Sequence, residues 1–294
     1  FFKEDLPENQ GLLTYPDGTK IYGSLSLGKK KGPWTFEMTD GVSLDISYQN
    51  DIENGLSRIS FPDDTLFEGT YQDGKKNGDW FIRFGDGSEF KGSFVNDLRN
   101  GKGEYSFKDG SKFDGEYLNG QINGEGQFLL ADGSMFNGEF LDQQRNGKGT
   151  FIDSNNNKFE GNYLNDLREG PANFYFSNKN QFQGVYTKGI VEGIGKITFS
   201  DGSIYEGEFQ KNYSSGQGKL TYTDRMVFEG RYLQGKRNGE AFIEFQDQTK
   251  ITANYTDDIA SGPSNFISKD EQTYQLKIGK ELLDGFVSIK FPDQ

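Results

Sequence analysis

The sequence predicts an all-β repeat protein: an elongated, single-layer antiparallel ribbon of about twelve tandem hairpins. Three observations predict it. The chain keeps an unbroken period of 23 residues. Apolar and polar side chains alternate at a spacing of two within each period. Glycine recurs at fixed places among aromatic positions, and no stretch reads as a helix.

The period is set by Phe67-Glu68-Gly69-Thr70-Tyr71, which returns at Phe90, Phe113, Phe136, Phe159, Phe182, Tyr205 and Phe228. The same frame extends outward to Ile21, Leu44, Ile251 and Tyr274, giving twelve anchors over residues 10–294, with residues 1–9 as a leading segment. Positions not used to set the frame confirm it. All twelve residues at +11 from the anchor, such as Gly78, Gly101 and Gly124, are glycine. At +19, ten of the twelve are Asp, and the other two are Asn155 and Asn178.

Each repeat reads as two strands with one apolar face. The first carries an aromatic, a glycine and an aromatic at 0, +2 and +4; the second carries a small residue and two apolar residues at +13, +15 and +17. A longer loop is expected at +6 to +11, as in residues 96–101, and a tight Asp-Gly turn after +17. If +4 faces +13, each glycine faces a ring, Gly92 against Tyr105 and Gly103 against Phe94. A residue without a Cβ lets the ring lie across the sheet, so a thin core can form with no second layer. At ~4.8 Å per strand, about 25 strands would give a rod roughly 120 Å long. Repeats that lose the Asp-Gly turn, at Asn155-Asn156 and Asn178-Lys179, are expected to bend or loosen, with Asp153 at a normally apolar position.

Composition narrows function. With no Cys and no His among 294 residues, thiol chemistry and the usual neutral-pH general base are missing. The net charge of -13 disfavours nucleic acid and anionic membrane as partners. The recurring Asp residues read as turn caps, and no residue stands out as catalytic, cofactor-binding or metal-ligating. Two glycosylation triplets, at Asn212 and Asn254, matter only in a secreted protein. The chain opens on Phe1 without an initiator Met, as a processed form or a fragment would.

Phe/Tyr-x-Gly-x-Phe/Tyr, then Asn-Gly-x-Gly, then Asp-Gly, on this period resembles the MORN repeat family. The clearest copies run from Phe90 to Gly110, Phe113 to Gly133 and Phe136 to Thr150. The resemblance implies a twisted β-ribbon of antiparallel hairpins without catalysis. It implies scaffolding of cytoskeletal or ciliary assemblies, binding of partner peptides or helices, or membrane tethering; elsewhere in the family such repeats sit beside an enzyme domain. The implied setting is cytoplasmic, within a multi-subunit or self-associating complex. Aliphatic residues replace the pattern at Ile21, Leu25, Leu44 and Ile46 and again at Ala253, Leu276 and Ile278, as caps would.

Three surfaces are candidates for protein partners. The first is an aromatic groove of Tyr71, Phe94, Tyr117, Phe140, Tyr163, Tyr186, Phe209 and Tyr232, whose rings are also expected to form the core. The second is an outer apolar column of Leu129, Ile152 and Tyr175, expected near Leu118, Leu141 and Leu164; inter-strand packing is the alternative. The third is a terminal strand with Phe286, Val287, Ile289 and Phe291, open to end-on association or continued by a longer native chain past Gln294.

Overall fold

A computed structural model of the chain describes residues 2–3, 6–7 and 9–276. Among these, every regular element is a strand. The chain divides into two units, residues 1–144 and 145–294. In the first, an antiparallel meander runs from Asn9–Thr14 to Met135–Leu141, and Phe2–Lys3 pairs separately with Leu6–Pro7. In the second, the meander runs from Gln144–Ile152 to Thr273–Leu276. Each strand pairs with its sequence neighbours, and neither unit pairs its first described strand with its last, so each sheet is open. The proposed edge residues Phe286, Val287, Ile289 and Phe291 lie outside the described residues.

The repeat anchored at Phe90 shows how the hairpin forms. Strand Glu89–Val95 pairs with Leu98–Ser106, and only Asn96 and Asp97 separate them. Both adopt positive φ, 49° and 71°, the conformation of a two-residue turn that matches strand twist. The expected loop at +6 to +11 is therefore a two-residue turn followed by strand. The extra length is taken up by a bulge: the register slips between Gly92 and Phe94, opposite Gly101 at φ 93°. The turn after +17 is as expected. The Gly110 N–H donates to Phe107 O at 3.1 Å, and Asp109 Oδ1 accepts from the Ser111 N–H at 2.9 Å. The degenerate turns do not loosen. Asn156 and Lys179 take φ of 63° and 71°, and Asp153 Oδ1 accepts the N–H groups of Asn155 and Asn157.

The bulge also changes the register. The anchor faces +15 rather than +17, and the two glycines face one another: Phe90 pairs with Tyr105 and Gly92 with Gly103. Gly103 therefore does not face Phe94, nor Gly92 Tyr105. Rings still pack on glycine, but from other directions. A Cβ on Gly103 would come within 2.8 Å of Phe90 Cε2 and 3.0 Å of Tyr117 Cε2, the latter from the next repeat. A ring directly across from glycine occurs where Trp stands at +13: a Cβ on Gly23 would lie 2.2 Å from Trp34, and one on Gly69 2.2 Å from Trp80. Each indole N–H donates to a strand carbonyl, at Ser24 and Thr70. The two-residue turn is the physical reason for the shift, since it fixes register more tightly than a loop of free length.

Candidate functional site

The eight groove rings sit on the inner face. Seven are buried, and Tyr71 is half-buried. Anchor rings such as Phe90, Phe159 and Tyr205 lie between their own +4 ring and that of the next repeat, edge to face: Phe90 is 5.6 Å from Phe94 and 5.5 Å from Tyr117, Phe159 is 5.4 Å from Tyr186, and Tyr205 is 5.1 Å from Tyr232; between Tyr71 and Phe94 that place is taken by Trp80. These rings are core first. Burial pushes the Tyr117 phenol up to about 12, against the opposing pull of Arg99. Tyr186, Tyr205 and Tyr232 are raised by burial as well, so these hydroxyls stay neutral across the working range.

In six of the twelve repeats a cation at +9 lies over the rings. Register places +9 opposite +4, as in Tyr163 with Arg168 and Tyr232 with Arg237. The Arg99 guanidinium lies 4.4 Å over Phe90, Arg168 4.5 Å over Phe159, and Lys30 4.2 Å over Tyr48. Arg237 is buried and pairs with buried Asp258 at 3.3 Å; Arg145 pairs with Asp166 at 3.0 Å. Sequence reasoning missed these cations because +9 falls in the supposed loop. Their recurrence at 30, 76, 99, 145, 168 and 237 is the signal that could have found them.

The outer face is concave along the glycine pairs. In the first unit a recess of about 600 Å³ runs over Gly92 and Gly103 and is bordered by Phe81, Lys91, Glu104 and Asp114. In the second, one of about 690 Å³ lies over Ala172, Gly184 and Gly195, bordered by Glu160, Val185, Ile194 and Lys196. Another, of about 540 Å³, lies over Gly230, Ala241 and Ala253. Backbone and small side chains form each floor; charges of both signs stand on the walls of the first two, and Glu229 and Glu240 on those of the third.

The outer-column residues fall in different units. Leu129 is exposed in the first, beside Lys112 and Met135. Ile152 and Tyr175 are half-buried in the second, where both face Lys158, whose ammonium lies 5.5 Å over the Tyr175 ring. Leu118, Leu141 and Leu164 are not beside this column. The observed register pairs +5 with +8, which moves them to the hairpin tips, as Leu118 with Gln121 and Leu164 with Leu167 show.

The MORN repeat model matches residues 1–20 and then seven consecutive copies from 90–112 to 228–250, more than half of the chain. The chain belongs to the MORN-repeat family. Residues 21–89 lie outside the matched MORN copies, yet they form hairpins of the same length and register, with Trp34 and Trp80 where most copies carry a small residue. No curated protein matches the chain. Among solved structures, the chain is similar to the TCP10 domain of Danio rerio CPAP in complex with a STIL peptide: 11% identity, TM-score 0.38, over 83% of this chain and 98% of that one. It is similar also to the SAS-4 (dCPAP) TCP domain of Drosophila melanogaster with a proline-rich motif of Ana2: 15% identity, TM-score 0.32, over 60% and 90%. No helix of this MORN-repeat chain is long and apolar enough to cross a membrane among the described residues.

Proposed function

We propose that this chain is a non-catalytic scaffold that holds segments of partner proteins along its repeats, within a larger cytoskeletal or ciliary assembly. The observation that carries the reading is the recess over the small-residue pairs, which recurs in both units with the same kind of floor and, over Gly92 and Gly103 and over Ala172 and Gly195, with walls charged in both signs. Small residues give a peptide access to the sheet, and the exposed side chains at its rim supply specificity. In the second unit Ile194 is 69% exposed and lines the recess with Val185 and Pro171, an apolar cluster open to solvent. The eight inner rings support such sites from behind and touch a partner only at the edges that their neighbours leave open. The column of Leu129, Ile152 and Tyr175 and the terminal Phe286, Val287, Ile289 and Phe291 are proposed as secondary contacts. We read residues 10–294 as one array, because the 23-residue period runs through all of it.

Affinity capture followed by mass spectrometry names the partners, and variants then test the site. Val185→Glu with Ile194→Glu is expected to release a captured partner while leaving the unfolding midpoint unchanged. Full retention of every partner would refute the recess as the site. Membrane tethering is the competing role. A charge of -13 opposes it on anionic lipid, and flotation with phosphatidylserine vesicles would reveal it.

A further inference from the structure

Neighbouring hairpin tips are tied together by a side-chain cap. In five repeats the main-chain N–H at +9 donates to an Asp or Asn 21 residues farther on, as Lys76 does to Asp97 at 2.8 Å and Val191 to Asn212 at 2.7 Å. Where +9 is arginine, the same carboxylate also takes the guanidinium: Arg145 Nε donates to Asp166 Oδ1 at 3.0 Å, and Arg237 Nε to Asp258 Oδ1 at 3.3 Å. Two arginines lack that carboxylate. The residue 21 beyond Arg99 is Gly120, and beyond Arg168 it is Gly189. The main chain is unchanged: both glycine N–H groups donate to the arginine carbonyl at 2.8 Å, as those of Asp166 and Asp258 do at 3.0 Å. A Cβ on Gly120 would meet only Leu98 Cδ2, at 3.8 Å, so a side chain has room there. Arg168 is only 9% exposed, and neither it nor Arg99 forms an ion pair among the described residues. Rings cover its flat face, Phe159 at 4.5 Å and Phe174 at 5.5 Å, while its five donors lie in its plane. Burial raises the Tyr163 and Tyr186 phenols and Arg168 pulls them down, so two hydroxyls stand beside it. The carboxylate next in sequence, Glu169, accepts from the Lys188 N–H at 2.8 Å. A buried cation without a counter-charge is costly.

We propose that Arg168, and Arg99 in the first unit, each bind an Asp or Glu side chain of a partner peptide in the place that Asp166 and Asp258 fill at Arg145 and Arg237. The chain itself supplies the template. One oxygen of the incoming carboxylate accepts from the arginine main-chain N–H and from Nε, as Asp258 Oδ1 does at 2.8 and 3.3 Å. Such charge-assisted bonds are strong, and the planar fork of arginine selects a flat carboxylate. The ligand is a carboxylate rather than a phosphate because an aspartate side chain fills this place in the repeats that have one. The net charge of -13 repels acidic chains in general, so acidic residues of a partner engage at these points and not along the whole surface. The site lies at the hairpin tips, apart from the recess over the small-residue pairs, and either can fail without the other.

The test titrates sodium acetate into the full, nitrogen-15-labelled chain at constant ionic strength and follows the arginine Nε–H resonances. Loss of one signal in Arg168→Lys and of another in Arg99→Lys assigns them. Both are expected to shift saturably, with a dissociation constant below about 50 mM, and to ignore acetamide. The blocked tripeptide Ac-Gly-Glu-Gly-NH2 should bind at least as tightly as acetate, and its Gln counterpart should not bind. Gly189→Asp puts the missing carboxylate into the chain, at a φ of 83° where Asp51, Asp97, Asp166 and Asp258 hold 67–71°. It should raise the melting temperature by about 2–4 °C and abolish the acetate response of Arg168, while Arg99 still responds. The proposal is overturned if acetate produces no saturable shift, if acetamide or the Gln peptide matches it, or if inorganic phosphate binds more than tenfold tighter. Acetate binding without binding of the Glu peptide would also overturn it, as a site for small anions only. So would a Gly189→Asp chain that fails to melt higher or keeps the Arg168 response.

Discussion

Gly115→Ala tests the packing on which the fold depends. A Cβ at Gly115 would lie 2.5 Å from Phe113 Cζ, 2.7 Å from Gly126 Cα and 2.9 Å from Glu125 O. Two of those three atoms are backbone and cannot move aside. The ring must tilt instead, and Phe113 is fully buried, 5.6 Å from Tyr117 and 5.5 Å from Phe140. Overpacking costs about 1–3 kcal/mol, and breaking an edge-to-face ring pair adds about 0.5–1.5 kcal/mol. The expected destabilisation is therefore about 3 kcal/mol. Gly126→Ala is the internal comparison. Its Cβ would meet the Phe113 ring at 2.7 Å but the nearest backbone atom only at 3.4 Å, and Ala172 and Ala241 occupy the same place in other repeats. About 2 kcal/mol is expected there. Where alanine does face alanine, at Ala241 and Ala253, the anchor is Ile251 and not a ring. Phe113→Ile should accordingly offset part of the Gly115→Ala destabilisation, by about 1 kcal/mol relative to additivity. Urea unfolding followed by far-UV circular dichroism measures all three. A Gly115→Ala protein within about 0.5 kcal/mol of the parent, or no weaker than Gly126→Ala, would refute ring-on-glycine packing.

Four further outcomes follow from particular groups. Lys179 holds φ 71° at a turn position where five of the twelve repeats have glycine, so Lys179→Gly should stabilise by roughly 0.5 kcal/mol, the αL penalty less the entropy of glycine; a lower melting temperature would count against it. The Tyr232 hydroxyl is buried without a hydrogen-bond partner, so Tyr232→Phe should leave melting unchanged or raise stability by up to about 1 kcal/mol, and a clear drop in stability would show that the hydroxyl is bonded. Arg237→Met strands buried Asp258 and should cost about 3–5 kcal/mol in chemical denaturation; parity with the parent would mean that Asp258 finds water. The hydroxyl and N–H of Ser88 hold Asp86 below the usual carboxylate range, and the N–H and hydroxyl of Ser111 do so for Asp109. Because their folded values lie below the unfolded ones, this stability is complete above about pH 4 and is lost as pH falls through the lower folded values. Asp86→Ala with Asp109→Ala should flatten that acid limb of a melting-against-pH curve.

The 23-residue period, the two strands per repeat, the single apolar face and the Asp-capped turns are all local patterns, and the sequence alone determined them. Alternation and turn chemistry act over a few residues, so they are visible without a fold. Cross-strand register is not local in this sense. It depended on whether residues 96–101 form a loop or a two-residue turn with a bulge at Gly101, and only the folded hairpin decided that. The shift of two residues put glycine against glycine. It brought the +9 cations over the rings and carried Leu118, Leu141 and Leu164 to the hairpin tips. Residues 21 apart meet for the same reason: the Arg237 N–H donates to Asp258 Oδ1 at 2.8 Å, a contact between neighbouring hairpins that no spacing within one strand announces.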